Sequence, residues 1–123
     1  MIRCPETLKI GPHIYCIGIE PSDDDMPYAN IHQVSNEIVF VHPNISPTQA
    51  LVSLIHEFIH GAEEVSSIHD SSARLNHDQI RWVSNVVVDL LQQLGLDSEL
   101  KIAHLPLRQI AKHSENGVRI GSL

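Results

Sequence analysis

The segment His56-Glu57-Phe58-Ile59-His60 carries the side chains best suited to chemistry in this sequence. Two histidines four positions apart project from the same side of a helix, so both imidazoles can reach one ion. Glu57 follows the first histidine, where its carboxylate can accept a proton from a water molecule that a divalent metal polarises. The spacing therefore predicts a zinc site in a hydrolase, with His56 and His60 as ligands and Glu57 as general base.

A third zinc ligand is expected, because a catalytic zinc usually has three protein ligands and one water. His77 and Asp78 begin the next predicted helix, and His69 and Asp70 lie in the segment before it. His77 projects at the shoulder of the apolar face of that helix, whereas Asp78 points nearly away from this face. A helix N-terminus also disfavours protonated imidazole and so keeps His77 in the neutral form that binds metals. We therefore expect His77 to be the third ligand, with Asp78, His69 and Asp70 as the alternatives.

The composition agrees with metal or pH chemistry and argues against several classes of protein. Nine of the 123 residues are histidine, the commonest metal ligand among side chains. The net charge is −7 and the eight Lys and Arg residues are scattered, so neither a nucleic-acid partner nor a membrane partner is expected. The chain has no apolar stretch of the ~20 residues that a membrane span needs, and its start does not resemble a signal peptide. Cys4 and Cys16 support neither a disulfide nor a thiolate zinc site, which favours a cytoplasmic protein.

The first part of the chain favours short strands. Alternating and β-branched residues predict strands at 7–10, 13–19, 31–34 and 37–42, the last two joined by a tight turn at 35–36. Strand 37–42 has two interpretations. It is either an edge strand that pairs with an extended peptide or a strand inside the core.

Two helices follow, each with its own start signal. A serine and a proline at 46–47 predict the start of the metal helix, whose apolar stripe extends to about residue 62. Asn76 predicts the start of a second helix, and Gly95 predicts its end. The apolar stripe of this helix is predicted to consist of Ile80, Val83, Val87, Leu90, Leu91 and Leu94. A short helix near 107–113 is a further expectation.

Together these elements predict one domain over residues 1–123, of the α+β class. We expect a small, mainly antiparallel sheet packed on the metal helix and on a second long helix. So short a chain cannot cover a substrate from two sides, which leaves an open groove beside the metal. An open groove favours an extended polypeptide as substrate over a small molecule.

Four segments, at 37–41, 43–47, 54–60 and 76–80, resemble the minimal zinc metallopeptidases (zincins) of bacteriophages and mobile elements. These proteins are related to the ImmA/IrrE-like and, more loosely, to the SprT-like metallopeptidases. The resemblance implies zinc held by His56, His60 and His77, with Glu57 as general base. Many relatives have a glutamate as third ligand, where this chain offers His77 and Asp78. Several relatives cleave a repressor or regulator, so the implied partner is a polypeptide substrate or a regulatory protein.

Two other functions stay open at this point. In the first, zinc holds the two helices together in a regulatory or interaction module and Glu57 is idle, since no oxyanion donor is assured. The candidates for that donor are Tyr28, His69 and Arg81. In the second, the chain is a metal-free interaction protein. The oligomeric state is open as well: Trp82, on the outer face of the second helix, is a candidate for a subunit contact, for a cover over the cleft or for a partly buried surface residue.

Overall fold

The computed structural model describes residues 1–22, 28–66 and 71–108 of the chain. The strands of its first half are β1 (Ile2–Arg3), β2 (Thr7–Ile10), β3 (His13–Ile19), β4 (Ala29–His32) and β5 (Glu37–Phe40). The helices α1 (Pro47–Val65) and α2 (His77–Gln93) follow, with a 3-10 turn at Ser71–Ala73 between them, and β6 (Leu100–Lys101) comes last. The predicted α+β class is therefore confirmed.

The main sheet has the strand order β2-β3-β5-β4. The pairs β2–β3 and β4–β5 are antiparallel and the pair β3–β5 is parallel, so the sheet is mainly antiparallel, as predicted. Because β5 lies between two other strands, it is a core strand, and its interpretation as an edge strand is wrong. The edge strand on that side of the sheet is β4.

The turn between β4 and β5 differs from the predicted hairpin. β4 covers 29–32 instead of 31–34, and the turn occupies 33–36, with Asn36 at a φ of 53°. Val34 was predicted to lie in the strand, but its side chain is fully exposed in this turn. Asn tolerates positive φ better than most residues, and this explains why the chain reverses here.

Helix α1 packs against the sheet through a strip of residues spaced three and four positions apart, namely Ala50, Leu54, Glu57 and Gly61. The helix starts as predicted, because the Ser46 hydroxyl accepts a hydrogen bond from the Gln49 amide at 3.2 Å. A methyl group added at Gly61 would lie 2.8 Å from Ile10 Cδ1 and 3.0 Å from Ile31 Cδ1. Glycine at this position therefore lets α1 lie close to β2 and β4.

Helix α2 packs against α1. Its start is the predicted one: the Asn76 side chain accepts a hydrogen bond from the Gln79 amide at 2.8 Å, and the Gln79 side chain accepts one from the Asn76 amide at 2.9 Å. Its end is also as predicted, with Gly95 at a φ of 73° just after the helix. The apolar face is only partly buried by the described residues, since Ile80, Ser84 and Val88 are buried whereas several of the predicted stripe are exposed: Val87, Leu90 and Leu94.

The residues after α2 complete the fold. β6 pairs with β1 in a small parallel sheet that the sequence did not predict. Leu107 forms a bridge with Ile19 at the end of β3, which β2 does not cover, and Arg108 forms an ion pair with buried Glu37. The short helix expected near 107–113 is therefore absent at Leu107, and 109–113 lie outside the described residues. Neither α1 nor α2, the helices in the described ranges, has the length and apolar character to cross a membrane.

Candidate metal site

Three histidines from two helices converge at the open side of α1. His56 and His60 lie one turn apart on α1, and their Nε2 atoms are 3.1 Å apart. His77, the first residue of α2, approaches both, with ring centroids 5.8 Å from His56 and 4.7 Å from His60. One nitrogen from each ring lies within 4.8 Å of the other two. The described residues thus contain one group of side chains able to share a metal ion, and it consists of these histidines.

Glu57 lies beside this group on the sheet-facing strip of α1. Its side chain is 8 % exposed and still lines the cleft that contains the three histidines. The main chain of Ile31, in β4, gives the carboxylate a hydrogen bond. The carboxyl group is therefore held between α1 and the edge strand β4.

Two contacts hold the start of α2, and with it His77, against the end of α1. The Glu63 carboxylate accepts a hydrogen bond from the Leu75 amide at 2.7 Å, and the Glu64 carboxylate lies 3.3 Å from the Arg74 guanidinium. Both glutamates follow His60 by about one turn on α1. These contacts, together with the capping box at Asn76, determine where the His77 ring can reach.

The electrostatics of the site favour neutral imidazoles and a carboxyl group that titrates near neutrality. Burial lowers the pKa of His56 to about 4, with smaller contributions from His60, His77 and Arg81. Burial lowers the pKa of His60 as well, and His77 adds to this effect while Glu63 opposes it. Burial raises the pKa of Glu57 to about 7, although the hydrogen bond from Ile31 opposes this shift. At neutral pH His56 and His60 are therefore in the form that binds metals.

The cluster fits a tetrahedral metal ion with nitrogen ligands. Zinc–nitrogen bonds of ~2.0–2.1 Å require ligand nitrogens about 3.3 Å apart. The 3.1 Å between His56 and His60 is close to this value. The other nitrogen–nitrogen distances are up to 4.8 Å and must shorten by roughly 1.5 Å when an ion binds. The exposed His77 side chain can provide this change by rotating. Three imidazole ligands suit zinc, and also copper, iron or nickel.

The cleft around the histidines has a volume of about 680 Å³. One wall is α1, the second is α2 with the segment before it, and the third is β4 with its flanking residues, from Tyr28 to Gln33. Among the described strands β4 pairs with β5 alone, so its other side faces this cleft. The cleft is therefore bordered by main-chain groups of a strand edge as well as by the three histidines.

Of the candidates for the third ligand, the structure describes His77 and Asp78. The Asp78 side chain is 90 % exposed, lies 2.8 Å from Arg81 and is not part of the histidine cluster. His69 and Asp70 lie outside the described residues. Of the candidates for an oxyanion donor, Tyr28 and Arg81 line the cleft, and His69 is again outside the described part.

The sequence predicted the β4 strand at 31–34 without indicating that it lies at the edge of the sheet, and the two glutamates that hold the start of α2 were not predicted. A signal for the glutamates was present, because Glu63 and Glu64 follow His60 by three and four positions and so lie on nearly the same side of the helix. No comparable signal marked β4 as the edge strand, since strand order depends on contacts distant in the sequence.

No family model, curated protein or solved structure matches this chain.

Proposed function

We propose that this protein is a zinc-dependent peptidase that cleaves an extended polypeptide. The observation that carries the proposal is the convergence of three histidine nitrogens within 4.8 Å, beside a buried glutamate that follows the first of them. The resemblance to phage-type minimal zincins supports the same function. A cytoplasmic location is part of the proposal, because the thiols of Cys4 and Cys16 are both free.

In this proposal His56, His60 and His77 hold the metal. Zinc, when bound, lowers the pKa of a coordinated water towards neutrality and polarises a carbonyl group. The number of ligands supports a catalytic site over a structural one. Structural zinc sites are closed by four protein ligands, and the cluster within residues 1–22, 28–66 and 71–108 offers three.

Glu57 is the proposed general base. Because burial raises its pKa to about 7, this carboxyl group can both take and release a proton near neutral pH. It takes the proton of the attacking water as the new carbon–oxygen bond forms. It then delivers that proton to the amine nitrogen as the carbon–nitrogen bond breaks.

The proposed substrate is a polypeptide in extended conformation. Apart from the Ile31 main-chain group that binds Glu57, the side of β4 that faces the cleft offers its main-chain groups to a further strand. A peptide paired there would run past Glu57, because the main chain of Ile31 lies within hydrogen-bonding distance of its carboxylate. A regulatory protein with an exposed extended segment is the class of partner that fits.

The second candidate is a regulatory module with a structural metal and no catalysis. Exposure of His77 argues against it, because structural zinc sites are usually enclosed. The two functions differ in the role of Glu57. In a peptidase Glu57→Gln retains the metal and loses cleavage, whereas in a structural module this substitution changes neither property.

The first experiment is elemental analysis of protein purified without a polyhistidine tag, together with cleavage of a fluorogenic peptide library. We expect about one zinc per chain and cleavage that a chelator abolishes. His56→Ala should lose the metal, and His13→Ala, on an exposed histidine of β3, is the matched control that should retain it. Wild-type protein without stoichiometric metal would refute the proposal.

The third ligand needs a separate pair of variants. His77→Ala should weaken zinc binding strongly, whereas Asp78→Ala should leave it within a few-fold of wild type. The opposite result would show that the cluster rearranges around Asp78 when the ion binds.

A further inference from the structure

Arg81 is a cation in the wall of the metal cleft that the proposed reaction has not yet used. It follows His77 by four positions on α2, so the two side chains project from the same side of the helix. Both side chains line the cleft.

The present partner of Arg81 is weakly held. Arg81 lies 2.8 Å from the Asp78 carboxylate, and the two side chains are 63 % and 90 % exposed. Such exposed pairs contribute little to stability, because water and salt compete with them. The guanidinium can therefore exchange Asp78 for another anionic oxygen at small cost.

The other arginine of the cleft has a different position. Arg74 lies before α2 and forms an ion pair with Glu64, part of the link between the two helices. It acts in holding His77 in place. Of the two arginines that line the cleft, Arg81 is thus the one on the same helix face as a metal ligand.

We propose that Arg81 binds the substrate carbonyl oxygen as this atom becomes negatively charged. This inference rests on the proposed peptidase function and assigns the oxyanion donor that the function requires. As the water oxygen bonds to the carbonyl carbon, the π electron pair moves onto the carbonyl oxygen and the water proton passes to Glu57. Arg81 keeps its own protons and donates N–H groups to the new oxyanion. The carbonyl re-forms when the carbon–nitrogen bond breaks and the amine leaves with the proton.

A binding experiment tests this role without any cleavage. Cobalt(II) in place of zinc gives a visible spectrum that responds to anions at the metal, and methylphosphonate serves as a small tetrahedral oxyanion. We expect Arg81→Ala to raise the dissociation constant of methylphosphonate by about tenfold or more, and Arg81→Lys to raise it less. Asp78→Asn removes the competing carboxylate and should leave binding equal or tighter.

The control for general charge is Arg3→Ala, in the exposed strand β1. Equal affinity in Arg81→Ala and wild type, or an equal loss in Arg3→Ala, would overturn the assignment. A wild-type protein that gives no cobalt spectrum would refute the metal site itself, and this failure is distinct from the failure of Arg81.

Peptide cleavage gives a second readout. Loss of an oxyanion donor lowers kcat by ~100-fold or more and changes KM little. If Arg81 instead recognised the terminal carboxylate of a peptide, Arg81→Ala would raise KM for peptides with a free carboxyl end and leave amidated peptides unaffected. That pattern would overturn the oxyanion role.

Discussion

The pH dependence of unfolding in a Glu57→Gln variant tests the environment of the proposed base directly. The Glu57 carboxyl group is 8 % exposed, and burial raises its pKa from the ordinary 4.5 to about 7. Because the pKa is higher in the folded than in the unfolded state, the protonated group stabilises the metal-free fold fully below pH 4.5. This stabilisation is lost as the pH rises through 7, where the fold must accommodate a buried carboxylate.

The size of the effect follows from the two pKa values. A difference of one pH unit between the folded and unfolded pKa is worth ~1.4 kcal/mol. From pH 5 to pH 8 the contribution of Glu57 to the free energy of unfolding should therefore fall by about 2.5 kcal/mol. Glutamine has nearly the same shape and does not titrate. His56 and His60 titrate in both proteins, so their contribution, of opposite sign, cancels in the difference between wild type and variant.

The assay is urea unfolding followed by far-UV circular dichroism, with a chelator present to keep both proteins metal-free. We expect the free energy of unfolding of wild type, relative to Glu57→Gln, to decrease steadily over this pH range. Glu6→Gln, at an exposed position, is the control for removal of a carboxylate from the surface. A difference between wild type and Glu57→Gln that stays constant with pH would refute the placement of this carboxyl group in a desolvated site.

Three further predictions concern the packing that supports the site. Ile80→Ala removes a fully buried side chain of α2, so it should cost about 2–5 kcal/mol of stability, measured by denaturation. Because Ile80 follows His77 by three positions on α2, metal titration should also show weaker zinc binding. Gly61→Val places a side chain where even a single methyl group would lie within about 3 Å of Ile10 and Ile31, so it should lower the free energy of unfolding by about 1–3 kcal/mol. A melting temperature equal to that of wild type would contradict the close approach of α1 to the sheet. Burial raises the pKa of the Cys4 thiol to about 11, so a thiol reagent at pH 8 should modify Cys4 at the rate of unfolding. Rapid modification of Cys4 in the native protein would show that the segment between β1 and β2 is open.

The parts of the fold that local chemistry determines could be predicted from the sequence. Helix starts depend on hydrogen bonds within three residues, so Ser46 and Asn76 indicated where α1 and α2 begin. The convergence of His56 and His60 follows from helix geometry alone. His77 could be selected over Asp78 because the apolar face of α2 has to meet α1, and this face brings position 77 towards the first two histidines.

The strand order could not be obtained in the same way, because it depends on contacts between distant segments. A hint existed in 38–41, an uninterrupted apolar run that is typical of a strand covered on both faces. The extent of burial along α2 was also overestimated. Periodicity shows that Leu90 and Leu94 lie on the same side of the helix. It does not show whether other residues of the chain pack against the full length of that side.

Gly61 connects the backbone geometry of the sheet to the reach of the metal site. The distance between α1, which carries two of the histidines, and the sheet is short because Gly61 has no side chain. A single methyl group at this position would collide with Ile10 and Ile31. One of them, Ile31, belongs to the strand along which a bound peptide would run. Gly61 contacts neither the proposed ion nor the proposed peptide, but it would determine the distance between the ion and the scissile bond. A larger side chain at Gly61 would increase this distance and so separate metal binding from catalysis in one substitution.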